Sequence, residues 1–104
     1  MRILRTEVYE RWFRHLKDAQ GKARIDIALR RCTLVGSVVG DIKPVGDGVQ
    51  EMRIYSGPGY RVYFLHRPNE LMLLVIGGDK SSQSRDIEKA KAIAKQLKEE
   101  GQWR

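Results

Sequence analysis
Arg2 to Arg5 read as a short first strand, after which the period of the hydrophobic positions changes. Tyr9, Trp12, Phe13 and Leu16 recur at the spacing of one helical face, while Glu10, Arg11, Arg14 and Lys17 fall mostly off it. Thr6 and Glu7 offer a capping hydroxyl and an acidic first turn, so the spacing predicts a helix that starts there. Asp18 to Gly21 break the pattern. A second helix is expected from about Lys22 to Leu34, with Ala23, Ile27 and Leu34 near one face and Arg24, Arg30 and Arg31 largely outside it. Two successive helices of this kind form a hairpin.

From Gly36 onward, Gly36, Gly40, Gly46 and Gly48 punctuate short β-branched pieces, a density unfavourable within a helix. A sheet begins here. Gln50 to Tyr55 alternates, with Met52 and Ile54 on one side and Glu51, Arg53 and Tyr55 on the other. Gly57-Pro58-Gly59 turns the chain, Tyr60 to Leu65 resumes in extended form, and Arg67 to Glu70 turns it again. Leu71 to Ile76 is an apolar run of strand length, expected as a central strand covered on both faces and ended by Gly77-Gly78. The three strands make an antiparallel meander. Ser81 and Ser82 are expected to cap a last helix whose inward stripe is Ile87, Ala90, Ile93, Ala94 and Leu97. The order strand, helix, helix, meander, helix describes a single α+β domain over residues 1–104, without repeat or linker.

At 104 residues and 41% hydrophobic content the chain has material for one core and no second. Twenty basic against thirteen acidic residues leave a net charge of +7, the electrostatic footprint of a nucleic-acid or ribosome binder, although acidic protein partners use the same excess. Cys32 is the single cysteine, which excludes an internal disulfide and fits a reducing compartment. No apolar run approaches the roughly 20 residues of a membrane span, and the N-terminal stretch lacks a signal-peptide core. The expectation is a soluble cytoplasmic protein with no membrane partner.

His15 and His66 are far apart and lack companions at ligand spacing, so no metal site is expected, nor any cofactor. Phosphate-loop, dinucleotide and nucleophile-elbow signatures are absent. His66 reads as a solvated loop residue, Trp12 and Phe13 as core, and Trp103 as docking on the body or on a partner. What stands out is a set of cations on strands and at strand ends, Lys43, Arg53, Arg61 and Lys80, interleaved with Tyr55, Tyr60 and Tyr63. Arg61 and Tyr63 share a face of an extended chain, and Arg53 can join them across the hairpin. Such a face holds phosphate oxygens and stacks bases, which suits single-stranded RNA. The same residues also fit an ordinary sheet face solvated by half-exposed side chains.

The segments Val45 to Ile54, Gly57 to Phe64, and Gly77 to Gln83 with Asp86-Ile87 resemble the addiction module killer protein family of the RelE/ParE toxin superfamily. The resemblance extends to Trp12-Phe13 and Leu16-Lys17-Asp18, and so spans nearly the whole chain. It implies a RelE/ParE-like fold, in which an N-terminal strand and helical hairpin pack on an antiparallel meander followed by a C-terminal helix. It also implies a role as the toxin of a type II toxin-antitoxin pair, with a cognate antitoxin protein as partner.

That superfamily contains ribosome-dependent messenger-RNA endonucleases of the RelE and HigB type and non-catalytic gyrase inhibitors of the ParE type, and a shared fold does not choose between them. In the nuclease branch Arg61 matches a scissile-phosphate position, Lys80 the basic residue after the last strand's glycine, and Arg53 a basic position on the preceding strand. No C-terminal tyrosine or histidine matches the acid-base residues some members use. The leading expectation is metal-independent cleavage of messenger RNA on the ribosome, with Arg61 and Arg53 facing the charge that develops on phosphate. Lys80 or a ribosomal group supplies the proton, and Lys43, Tyr55, Tyr60 and Tyr63 hold the strand. Gyrase inhibition is the alternative, and a plain RNA-binding module a third.

Overall fold
The computed structural model describes residues 1–103. Strand β1 (Arg2–Arg5) leads into helix α1 (Glu7–His15) and helix α2 (Ala19–Val35). Strands β2 (Asp41–Gly46), β3 (Val49–Ile54), β4 (Tyr60–Arg67) and β5 (Leu71–Asp79) follow, and a single 3-10 turn (Lys80–Ser82) runs into helix α3 (Gln83–Glu99). The five strands form one mixed sheet in the order β1-β5-β4-β3-β2. β2 to β5 are antiparallel neighbours, and β1 lies parallel to β5. The meander is therefore one strand longer than the pattern predicts, because the glycine-punctuated segment before Gly46 pairs with β3.

Side chains alternate across the sheet and build two cores. On one face Met52, Ile54, Tyr60, Val62, Phe64, Met72 and Leu74 meet Tyr9 of α1 and Ile25, Leu29 and Cys32 of α2. On the other, Val49, Tyr63, Leu65, Leu71, Val75 and Ile76 meet Ala90 and Ala94 of α3. β5 contributes to both, as its unbroken apolar run predicts. None of the helices is long and apolar enough to cross a membrane among the described residues.

The helix starts follow from short polar side chains. Thr6 Oγ1 accepts the Tyr9 N–H at 3.0 Å and donates to the Val75 carbonyl at 2.6 Å, which pins the start of α1 to β5. Asp18, expected as part of a break, is the N-cap of α2: its Oδ1 accepts the Gly21 N–H at 3.0 Å. The cap places the start of α2 at Ala19, and packing against the sheet buries Gly21, Ile25, Leu29 and Cys32. Ile27 and Leu34, expected on the inner face, are 56% and 78% exposed. At the other end, Ser82 holds the N-cap position of α3, but its hydroxyl turns to Asp86 and makes no cap bond, while Asp79 caps the preceding 3-10 turn by accepting the Ser81 N–H at 2.8 Å.

Gly77 and Gly78 do not end β5 but lie inside it, paired with Val62 and Arg61 of β4. Their missing side chains admit other groups. A Cβ on Gly77 would fall 2.2 Å from Cζ3 of Trp12, and one on Gly78 would fall 1.8 Å from Oδ2 of Asp86. Gly77→Ala is accordingly expected to lower stability by about 1–3 kcal/mol, because the indole has to leave its seat on the strand. Chemical denaturation of the variant checks this, and an unchanged midpoint would contradict the packing.

Trp103 docks on the body. It is 8% exposed, belongs to the α3-side core, and places its ring 4.9 Å from the Arg67 guanidinium. Gly101, at φ 73°, makes the reversal after α3, and the Trp103 N–H donates to the Leu97 carbonyl at 3.2 Å. His66 is also better placed than a loop reading allows: it is a partly buried strand residue of β4, edge-on to Phe64.

Candidate functional site
Residues paired in register share a face, so the sheet itself assembles the site. Asp41, Arg53, Arg61 and Gly78 form one row across β2, β3, β4 and β5, and Lys43, Glu51, Tyr63 and Ile76 form the next. Both rows lie on the α3 side, because Tyr63 and Ile76 belong to that core. The expectation that Arg53, Arg61 and Tyr63 share a face corresponds to this register.

At the centre is a residue without a role in the sequence reading. Glu51 is completely buried, and its carboxylate gathers the surrounding donors. Arg53 Nε donates to Oε1 at 2.9 Å, while the Tyr63 hydroxyl and Gln83 Nε2 donate to Oε2 at 3.0 and 2.9 Å. Arg61 Nε stands 3.7 Å from Oε2, beyond hydrogen-bond reach, and is a buried donor without a partner among the described residues. Burial pushes the Glu51 carboxyl up, but the hydrogen bonds from Arg53, Gln83 and Tyr63 and the charge of Arg61 outweigh it and hold the group below the usual carboxylate range. The signal available in the sequence was the alternation that put Glu51 beside Arg53, and it gave no burial.

Arg61 is held from its other end by the turn before β4. Its Nη1 donates to the Gly59 carbonyl at 3.0 Å, and 12% of the side chain is exposed. Gly59, at φ 79°, lets the chain turn close beside the 3-10 turn: a Cβ there would lie 3.5 Å from Arg61 Nη1 and 3.8 Å from Lys80 Cβ. Lys80 and Arg61 therefore flank one glycine, with Lys80 exposed at the surface. Arg53 is 28% exposed beside them. Lys43 is exposed on β2, opposite Glu51.

The tyrosines separate. Tyr63 and Tyr60 are 0% and 4% exposed, so neither ring is open to a base. Tyr63 serves Glu51, and burial followed by the nearby Glu51 charge pushes its phenol well up. Tyr60 faces the opposite core, edge-on to Trp12, and donates to Asp18 Oδ2 at 2.8 Å. Burial and the bond to Asp18 push its phenol up to about 12. Tyr55 alone of the three is open, 76% exposed just past β3, with its hydroxyl donating to Asp41.

The cluster thus brings together Arg53, Arg61 and Lys80, with Lys43 and Tyr55 at the surface nearby and Glu51 beneath. Such a face offers a phosphate guanidinium and ammonium donors, and a base the face of Tyr55. No three histidine, cysteine, aspartate or glutamate side chains converge in metal-ligand fashion among the described residues.

Residues 11–99 match the family described as "Phage derived protein Gp49-like (DUF891)". An uncharacterized protein of Haemophilus influenzae is 41% identical over 97 residues, which cover 93% of this chain and 96% of that protein. Every member of the Glu51 cluster falls inside the family match, whereas β1 and Trp103 fall outside it.

Proposed function
The chain belongs to the phage-derived Gp49-like family, and on that premise we propose that it is the toxin of a type II toxin-antitoxin pair and cuts messenger RNA on the ribosome. The family is RelE-like and toxin-like, and the net charge of +7 suits a ribosomal RNA surface. The observation that carries the finer reading is the cluster in which Glu51 draws in Arg53 and faces Arg61, while Arg61 shares Gly59 with Lys80.

In the reaction, the 2′-oxygen of the substrate attacks the adjacent phosphorus and the bond from phosphorus to the 5′-oxygen breaks. A 2′,3′-cyclic phosphate and a 5′-hydroxyl result. Arg61 and Arg53 stabilise the charge gathering on the non-bridging oxygens, an effect that is large when donors are held in place beforehand. Glu51 does that holding. Lys80 gives its proton to the leaving 5′-oxygen, and the 2′-hydroxyl proton passes to solvent. Tyr55 stacks a neighbouring base and Lys43 meets the backbone phosphate beyond it. The cognate antitoxin is the protein partner, and its acidic or amphipathic segments would meet the basic surface.

The test is a defined translation reaction containing the purified chain, with messenger-RNA 5′ ends mapped by primer extension. New ends that require ribosomes are the expected result. An intact message, with growth arrest and loss of gyrase supercoiling activity, would replace this reading with gyrase inhibition.

A further inference from the structure
Helix α2 is apolar on two sides. Its inner face docks on the sheet through Ile25, Leu29 and Cys32. Arg24, Ile27, Arg31 and Leu34 recur at spacings of three and four residues and form a second stripe, and all four are exposed. Of the five large hydrophobic side chains exposed among the described residues, Ile27, Leu34, Val35 and Tyr55 gather on this side and only Leu4 lies elsewhere.

A groove of about 270 Å³ joins the stripe to the end of β3. Ile27, Ala28 and Val39 give it an apolar lining, and Arg24, Arg31 and Arg53 give it charge. Asp41 is its one acidic residue, and it accepts the hydroxyl of Tyr55, which lines the same groove. The salt bridges among the described residues use neither Arg24 nor Arg31.

We propose that the stripe and groove seat an amphipathic helix of a partner protein, with its apolar face on Ile27 and Leu34 and acidic side chains beside that face on Arg24 and Arg31. The seat offers side chains and no strand edge to pair with: β3 is already paired on both sides, and β2 carries Pro44 and an irregular register. A helix satisfies its own backbone and so can lie there without leaving polar groups unpaired. Aliphatic exposure on this scale favours protein over RNA, whose phosphates gain nothing by covering Ile27 and Leu34. A second copy of this chain is a poor occupant, because Asp26 is the one acid of α2 and lines a different groove beside Arg2 and Arg5, so two copies of the stripe meet with like charge. The seat does not rest on the RNA-cleavage reading, but its consequence does: a helix in the groove covers Tyr55 and excludes a base from that ring.

The probes are two capped peptides of about 18 residues, long enough to form helix in water, made of leucine, glutamate and alanine in identical composition. One places its leucines at helical spacing with glutamates on either side, and the other scrambles them so that no apolar face forms. Each is titrated to millimolar concentration into the full chain, and backbone amide shifts are read by nuclear magnetic resonance. The amphipathic peptide is expected to bind about tenfold more tightly than its isomer, with the largest shifts in residues 23–35 and at Tyr55. Arg24→Glu with Arg31→Glu, and separately Ile27→Gln with Leu34→Gln, are each expected to weaken it about tenfold while the fold is retained, since all four side chains are exposed and both replacements are good helix formers. Equal affinity for the two peptides, absence of binding, or shifts confined to other elements would overturn the proposal. So would self-association without peptide that the glutamine pair abolishes, which would make the stripe a dimer interface. A single-stranded RNA oligonucleotide that binds more tightly than the peptide and weakens in both variant pairs would also overturn it, in favour of an RNA track. Because no ribosome is present, failure here and failure of the cleavage reading are told apart.

Discussion

Glu51→Ala is expected to destabilise the protein by about 3–5 kcal/mol, the range for removing one partner of a buried charge pair. Glu51 is completely buried, and its loss leaves the Arg53 Nε, the Tyr63 hydroxyl and the Gln83 amide without their acceptor in one stroke. Arg61, whose Nε has no hydrogen bond among the described residues even in the native protein, loses the Glu51 carboxylate that stands 3.7 Å from it. Urea denaturation of the variant measures the loss. A shift under 1 kcal/mol would show that the cluster contributes little to holding β3, β4 and α3 together.

Glu51→Gln separates charge from shape, and its signature is a pH profile. The native Glu51 carboxyl titrates below its ordinary value, so the folded state binds fewer protons than the unfolded state across that window. Stability therefore rises with pH there: the contribution is complete above the unfolded value and is lost as pH falls through the folded one. The glutamine variant lacks this component. The difference between wild-type and variant stability is expected to shrink in acid and to be constant from neutral pH upward. Asp18 is also held low, by the Gly21 N–H first and the Tyr60 hydroxyl second, and so keeps an acid limb in both proteins. Only the difference curve reports Glu51, and parallel curves would contradict its assignment.

How much of this was legible in the sequence depends on whether the deciding force was local. The Thr6 cap, the apolar run Leu71 to Ile76 and the Ala90 and Ala94 stripe depend on spacing along one element, and each appears where the pattern placed it. The start of α2 was missed because Asp18 acts both as a turn residue and as a cap, and its phase because the face that docks on the sheet, Ile25, Leu29 and Cys32, is chosen by tertiary packing that leaves Ile27 and Leu34 outside. The two glycines of β5 look like punctuation but are sockets for Trp12 and Asp86, a fact that requires the neighbouring helices. Similarly, the hairpin register put Arg53 and Arg61 on one face, but burial of Glu51 and Tyr63 comes from α3, which is remote in sequence. Tyr55 and Tyr60 look alike as strand-end tyrosines, and only the packing separates an exposed ring from a core one.

Arg61→Ala is expected to slow cleavage of ribosome-bound RNA by about 100- to 1,000-fold, the usual cost of losing one prearranged donor to a developing oxyanion. The loss should fall mainly on the rate of the chemical step, because Arg53, Lys43 and Lys80 still attract the backbone. The fold should survive, since Glu51 keeps Arg53, Tyr63 and Gln83 and the removed Nε was not hydrogen-bonded. Single-turnover cleavage on programmed ribosomes, with denaturation of the same preparation, separates the two effects. Arg61→Lys restores the charge but not the fork that reaches both the Gly59 carbonyl and the phosphate, so it is expected to recover only part of the rate. Wild-type rates in Arg61→Ala would remove the arginine from the reaction. A rate loss matched by an equal loss of folded protein would make it a structural residue, and a fully active lysine variant would show that charge alone suffices.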